Sequence, residues 1–230
     1  MIYVTGDTHR HIDIRKLNSE NFPQGKNLTK NDFVIICGDF GMVWDGSKEE
    51  KYWQKWLEEK PWTTLFCDGN HDNHQLLAQY PVEEYCGGKV HRIMPSVIHL
   101  MRGQIYNIDN NKIFVMGGAM SIDKAYRIEG ISWWPEEVPN YKECEEGFKN
   151  LEENDWKVDY VISHTGPEDI LKAGMSSVIP DPTSRYLNAI MNNAEFKHWY
   201  FGHMHLDKCI LNKYSFLYQN IVKLGEANET

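Results

Sequence analysis

No apolar run in this sequence is long enough to span a bilayer, which argues against a transmembrane chain. No Cys-x-x-Cys pair occurs among the five cysteines, an odd number, so a dithiol or paired-thiolate site is not indicated. Cys37 and Cys67 lie inside apolar strand patterns and read as small buried hydrophobes. Basic charge is in deficit. The formal net charge of −9 argues against a general binder of nucleic acid or anionic membranes. It leaves room for a small anionic substrate, because bound metal ions reverse a local field. There is no low-complexity linker, internal repeat or charge block, so residues 1–230 read as one domain with a sizeable core. The chain opens on the strand-like Met1-Ile2-Tyr3-Val4, with no basic stretch followed by an apolar one, and a cytoplasmic location is expected.

Five short polar motifs stand out against that background, each at the end of a hydrophobic run. They are Asp7-Thr8-His9, Gly38-Asp39, Gly69-Asn70-His71-Asp72, Ser163-His164 and Gly202-His203-Met204-His205. Carboxylates, an amide oxygen and several imidazoles are the ligands that hold two metal ions side by side. Asp7 and His9 alternate along an extended chain and would share one direction. A carboxylate such as Asp39 is a natural bridge, since its two oxygens can reach different cations. Taken singly, D-x-H and G-D are weak signals; two histidines alternating after a glycine and a buried strand are costly to place without a partner.

The runs before these motifs are Ile2–Val4, Phe33–Cys37, Thr64–Cys67, Tyr160–Ile162 and Trp199–Phe201. Short, continuously apolar and bounded by glycine, they suit strands buried on both faces. In an α/β sheet, ligands gather beyond the carboxyl ends of such strands, where every motif lies. Helices are expected at Lys48–Lys60, Asn73–Gln79, Tyr141–Glu153 and Thr183–Asn193, the first with Tyr52, Trp53, Trp56 and Leu57 on one stripe. From Lys89 to Gly118 the pattern turns to antiparallel hairpins, expected in a second sheet, and Ile210–Leu224 reads as a closing pair of strands.

The ordered set D-x-H, G-D, G-N-H-D, H and G-H-x-H resembles the calcineurin-like metallophosphoesterase superfamily, from Asp7 to His205. That resemblance implies an α/β fold, a four-layer α/β/β/α sandwich with two mixed sheets. It implies Asp7, His9 and His205 as ligands of one metal, Asn70, His164 and His203 of the other, and Asp39 as the bridge. His71 takes the position of the general acid, with Asp72 the acidic residue after it. The expected cofactors are two divalent metal ions, Mn most of all and otherwise Fe or Zn, which suit mixed nitrogen and oxygen ligands. Such a pair would clamp a phosphate ester for attack by a bridging hydroxide, while an imidazole protonates the leaving oxygen.

The pattern also departs from one branch of the superfamily. Phosphoprotein phosphatases carry an acidic residue and then arginine soon after the bridging aspartate; here Phe40-Gly41-Met42-Val43 follows Asp39. With no acidic residue at Met42, Asp45 or Asp72 would have to orient His71. Arg10 and Arg127 are candidate phosphate contacts, Arg10 with solvent exposure as the equal alternative. Trp133 and Trp134 would form an apolar wall near the site or pin their own loop, and Trp44, Trp62, Trp156 and Trp199 are read as packing residues. His11 and His74 are left as surface or supporting histidines. The expected substrate is a small phosphomonoester or diester, with a nucleotide among the options, and neither long duplex nucleic acid nor membrane as partner. The alternatives are a nuclease on short single strands, or a binding or scaffold protein that keeps the fold without turnover. A structural metal site is a further option.

Overall fold

The computed structural model describes residues 1–228. Strands β1 (Ile2–Thr5), β2 (Phe33–Cys37) and β3 (Thr63–Cys67) lie parallel and adjacent. Their side chains alternate between faces, so Val4, Ile35, Cys37, Leu65 and Cys67 enter one core while Val34, Ile36 and Phe66 enter another. Continuous apolarity is what a strand covered on both faces requires.

Next along the chain come β4 (Val82–Tyr85), β5 (Gly88–Met94), β6 (Val97–Leu100), β7 (Gln104–Ile108) and β8 (Asn111–Met116). Then follow β9 (Tyr160–Ser163), β10 (His198–Phe201), β11 (Lys208–Ile210), β12 (Tyr214–Phe216) and β13 (Ile221–Lys223). The first sheet has the order β13-β1-β2-β3-β6-β5-β4 and the second β11-β12-β10-β9-β8-β7. Both are mixed, with parallel strands at the centre and antiparallel strands at the edges. Between them lies the shared core, where Val4, Ile35 and Leu65 meet Tyr106, Ile113, Ile162 and Tyr200.

Helices cover the outer faces and complete the four-layer α/β/β/α sandwich. On the first sheet α1 (Lys48–Glu58) buries Leu57, and α2 (His74–Leu77) buries Leu77. On the second, α3 (Tyr141–Glu152), α4 (Glu168–Gly174) and α5 (Pro182–Asn193) press Leu151, Ile170, Leu171, Leu187 and Ile190 against Phe114, Val161 and Trp199. Local chemistry sets the helix starts. The Ser47 side chain accepts the Glu50 N–H, and Asn140 with Glu143 forms a capping box.

Three expectations need correction, and one helix lies outside those expected. Residues 89–118 do not form a second-sheet block: the β5–β6 pair joins the first sheet and only the β7–β8 hairpin joins the second. The closing strands part company too, β12 beside β10 in the second sheet and β13 beside β1 in the first. Tyr52 leaves the expected helix stripe, being 60% exposed. Helix α4, one short stretch behind Pro167, carries too brief a pattern to register in the sequence. Among the described residues no helix is long and apolar enough to cross a membrane.

Candidate metal centre

The carboxyl ends of β1, β2, β3, β9 and β10 deliver Asp7, Asp39, Asn70, His164 and His203 to one place. The backbone approaches so closely there that side chains are excluded. A Cβ on Gly38, whose φ is +90°, would strike the His164 ring, and one on Gly202 would strike the Asp7 carboxylate. His9, Asp39, His203 and His205 all sit at positive φ, between 39° and 63°. Non-glycine residues rarely hold that conformation, and a fold keeps it where the aim of a side chain matters more than strain.

Potential ligand atoms fall into two groups that share one residue. Asp7, His9, Asp39 and His205 form the first and Asp39, His164 and His203 the second, with ligand atoms within 4.8 Å of one another in each. In the first, His9 Nε2 lies 3.2 Å from Asp39 Oδ2, and His205 Nε2 lies 3.1 Å from Asp7 Oδ2. In the second, His164 Nε2 lies 3.0 Å from Asn70 Oδ1 and 3.2 Å from Asp39 Oδ1. All seven expected ligands are thus brought together, with Asp39 common to both groups.

A second layer aims these groups. His164 Nδ1 donates to the Cys37 carbonyl at 2.8 Å and leaves Nε2 to face the centre. His9 Nδ1 is held by Asp13 Oδ2 at 2.7 Å. The Asn70 amide donates to Ser121 Oγ at 3.0 Å, which turns its oxygen inward, and Ser121 donates to buried Glu137 at 2.7 Å. Arg102 ties that support to the neighbouring strand end. Its guanidinium donates to the Glu136 carbonyl at 2.9 Å and to Asp68 Oδ2 at 2.6 and 2.9 Å. Lys16, also buried, donates through Nζ to the carbonyls of Gly6, Asp7 and Tyr218, and burial pushes its pKa down to about 8. The Tyr218 ring stacks on His205 with centroids 4.5 Å apart. Sequence reasoning missed Asp13, Lys16, Arg102, Glu137 and Tyr218. Asp13, four residues after His9, and Lys16, nine after Asp7, lie near the first motif; Arg102, Glu137 and Tyr218 meet the site through long-range packing.

Electrostatics favour cations. Asp7 and Asp39 are buried anions a short distance apart. Against the desolvation of full burial, the charge of His164 and its hydrogen bond hold Asp39 well below the usual carboxylate range. The converse is that, despite burial, Asp39 and Asp7 raise His9 to about 9 and His164 to about 10. Histidine protons therefore balance the buried carboxylates. His203 goes the other way, driven to about 3 by burial and by the His164 charge, so its imidazole stays neutral with a lone pair to give. Nitrogen and carboxylate donors around a shared aspartate fit a pair of divalent cations.

The remaining expected residues are placed differently from one another. His71 borders the site: its N–H donates to Asp39 Oδ1 at 2.7 Å, and its Nε2 accepts from Arg127 Nη2 at 2.8 Å. Burial and then the Arg127 charge, outweighing Asp39, lower its pKa. Arg127, itself fastened to Asp123 and the Ser132 carbonyl, therefore reaches the site. Asp72 is turned away from the His71 ring. Its oxygens accept the backbone N–H groups of Gly69, Gly41 and Phe40, at 2.7, 2.7 and 3.2 Å. That is a tie between two motif loops. Arg10 is likewise turned aside, its guanidinium 2.7 Å from Asp45 and 3.5 Å from Glu50. Asp45, so engaged, does not orient His71. His11 meets Glu49 at the surface, whereas His74 is buried beside Arg102 and Asp68. Trp134 packs edge-on against Trp44 and pins its loop.

A model of the calcineurin-like phosphoesterase family matches residues 1–207. No match is found among curated proteins.

Proposed function

The chain belongs to the calcineurin-like phosphoesterases, and from that membership we propose that it hydrolyses a small phosphomonoester or phosphodiester with two divalent cations, Mn first among them. The observation that carries the reading is the pair of ligand groups meeting at Asp39. Asp7, His9, Asp39 and His205 would hold one cation, and Asp39, Asn70, His164 and His203 the other. Bound there, the cations supply the positive charge that draws in phosphate oxygens and makes water acidic enough to serve as nucleophile near neutral pH.

The chain's own groups do the rest. Asp13, the Cys37 carbonyl and Ser121 fix the rings and the amide, so little reorganisation is needed as charge develops. His71, beside Asn70 and bordering the ligand groups, would give a proton to the departing oxygen. Arg127 now donates to the same nitrogen, so that role requires the guanidinium to leave for the incoming phosphate. The charge of −9 and the absence of a basic cluster fit a small ester better than a long duplex.

The test is Mn²⁺-dependent hydrolysis of matched chromogenic phosphate mono- and diesters, with Asp39→Asn as control. Turnover by the wild type and not by the variant supports the reading, and the preferred ester separates phosphatase from phosphodiesterase. The occupied Nε2 of His71 favours a second reading, a protein that binds metal and phosphate without turnover. Folded, metal-loaded protein that hydrolyses neither ester would put that reading first.

A further inference from the structure

Beside the His164–His203 half of the centre lies a cavity of about 320 Å³. Met120, Met175 and Met204 form its wall, Ile122 and Ile179 its rim, and His203 borders it on the side of the metal ligands. Ile122 is 71% exposed and Ile179 52%, large apolar side chains left open next to a charged site. We propose that this cavity is a subsite for the organic group of the phosphate ester, and that it takes an uncharged aromatic group of one or two fused rings. The assignment rests on the phosphoesterase reading and adds to it the kind of group carried by the phosphorus.

Three observations support that choice. An apolar cavity of about 150 Å³ accommodates benzene, and this one is about twice as large. The three thioethers are flexible and polarizable, and sulfur makes favourable contacts with aromatic ring edges. Charge selects as well: the lining holds one carboxylate, Asp181, and no lysine or arginine, so a second anionic group would be unwelcome. The walls are also set in advance. Asp181 is 7% exposed and accepts the Thr183 N–H at 2.9 Å, which fixes the start of α5 beside the cavity. Because His203 belongs to both places, a phosphate at the metal centre brings its organic group to the cavity mouth.

The test compares benzylphosphonate with methylphosphonate, which share a phosphonate head and resist hydrolysis, on the zinc-loaded protein. Affinity is read by calorimetry, and occupancy by the ¹³C-methyl signals of Met120, Met175 and Met204. Benzylphosphonate is expected to bind at least about tenfold more tightly and to move those three signals, while methylphosphonate leaves them in place. Ile179→Ser and Met175→Ser, at solvent-reached positions, should each bring the affinity ratio toward one. Equal affinities, or a benzyl preference that survives both substitutions with the three signals unmoved, would overturn the subsite. Ester turnover with no benzyl preference sinks the subsite and leaves the phosphoesterase standing. The three signals moving in a protein that turns over no ester keeps the aromatic site and sinks the hydrolase.

Discussion

Metal loading should expel two protons from histidine, and metal affinity should rise steeply with pH. The perturbation is a change of pH during cation titration. His9 is held at about 9 and His164 at about 10, mainly because Asp39 outweighs the cost of burial. Both rings therefore carry a proton between about pH 6 and 8, and each must release one to free the Nε2 lone pair. One proton displaced per cation means about tenfold in affinity per pH unit, or about 1.4 kcal/mol, for each ligand group. From pH 6 to 8 each cation should bind about a hundredfold more tightly. Calorimetric titration in two buffers of different ionisation heat counts the protons directly, and at least two per loaded protein are expected. Affinity that is flat over this window, with no proton release, would refute the electrostatic reasoning. A stability consequence has the opposite sign. A folded-state pKa above the unfolded value of about 6.5 stabilises below that pH. The metal-free protein should thus lose stability as pH rises through about 9 and 10, read as a falling midpoint in urea.

Three further outcomes are expected. Ser121→Ala removes the acceptor that turns the Asn70 oxygen inward and should weaken one cation site by about 10–100-fold, leaving the other near wild type in a two-site titration. Arg127→Ala takes a positive charge off His71, so the His71 pKa rises and the alkaline limb of the kcat/KM profile moves to higher pH; a limb that stays put would reject His71 as the acid. Arg102→Met strands the buried Asp68 carboxylate and should cost about 3–5 kcal/mol in denaturant unfolding, with much of that recovered when Asp68→Asn is added.

The ordered polar motifs were legible because each interrupts an apolar strand run at its carboxyl end. Unbroken apolarity in Val34-Ile35-Ile36-Cys37 already implies cover on both faces. The α/β class and four of the five α-helices follow from that local grammar, while the seven proposed ligands follow from the resemblance those motifs carry. The sequence could not assign the hairpins of residues 89–118 to their sheets, because both are apolar and alternate alike. Sheet membership is decided by which edge the chain reaches, through contacts distant in sequence. Arg10 and Arg127 show the same limit at the site. As isolated arginines they are equivalent, yet Asp45 and Glu50 capture the first while His71 receives the second. Asp72 stands next to His71 in sequence, yet the turn of the loop gives its carboxylate to three backbone N–H groups. The sequence by itself determined which chemical groups the strand ends carry. Tertiary structure decided their partners, since a side chain's role depends on distances of about 3 Å between segments far apart in sequence, from 35 residues for Arg10 and Asp45 to 127 for His164 and the Cys37 carbonyl.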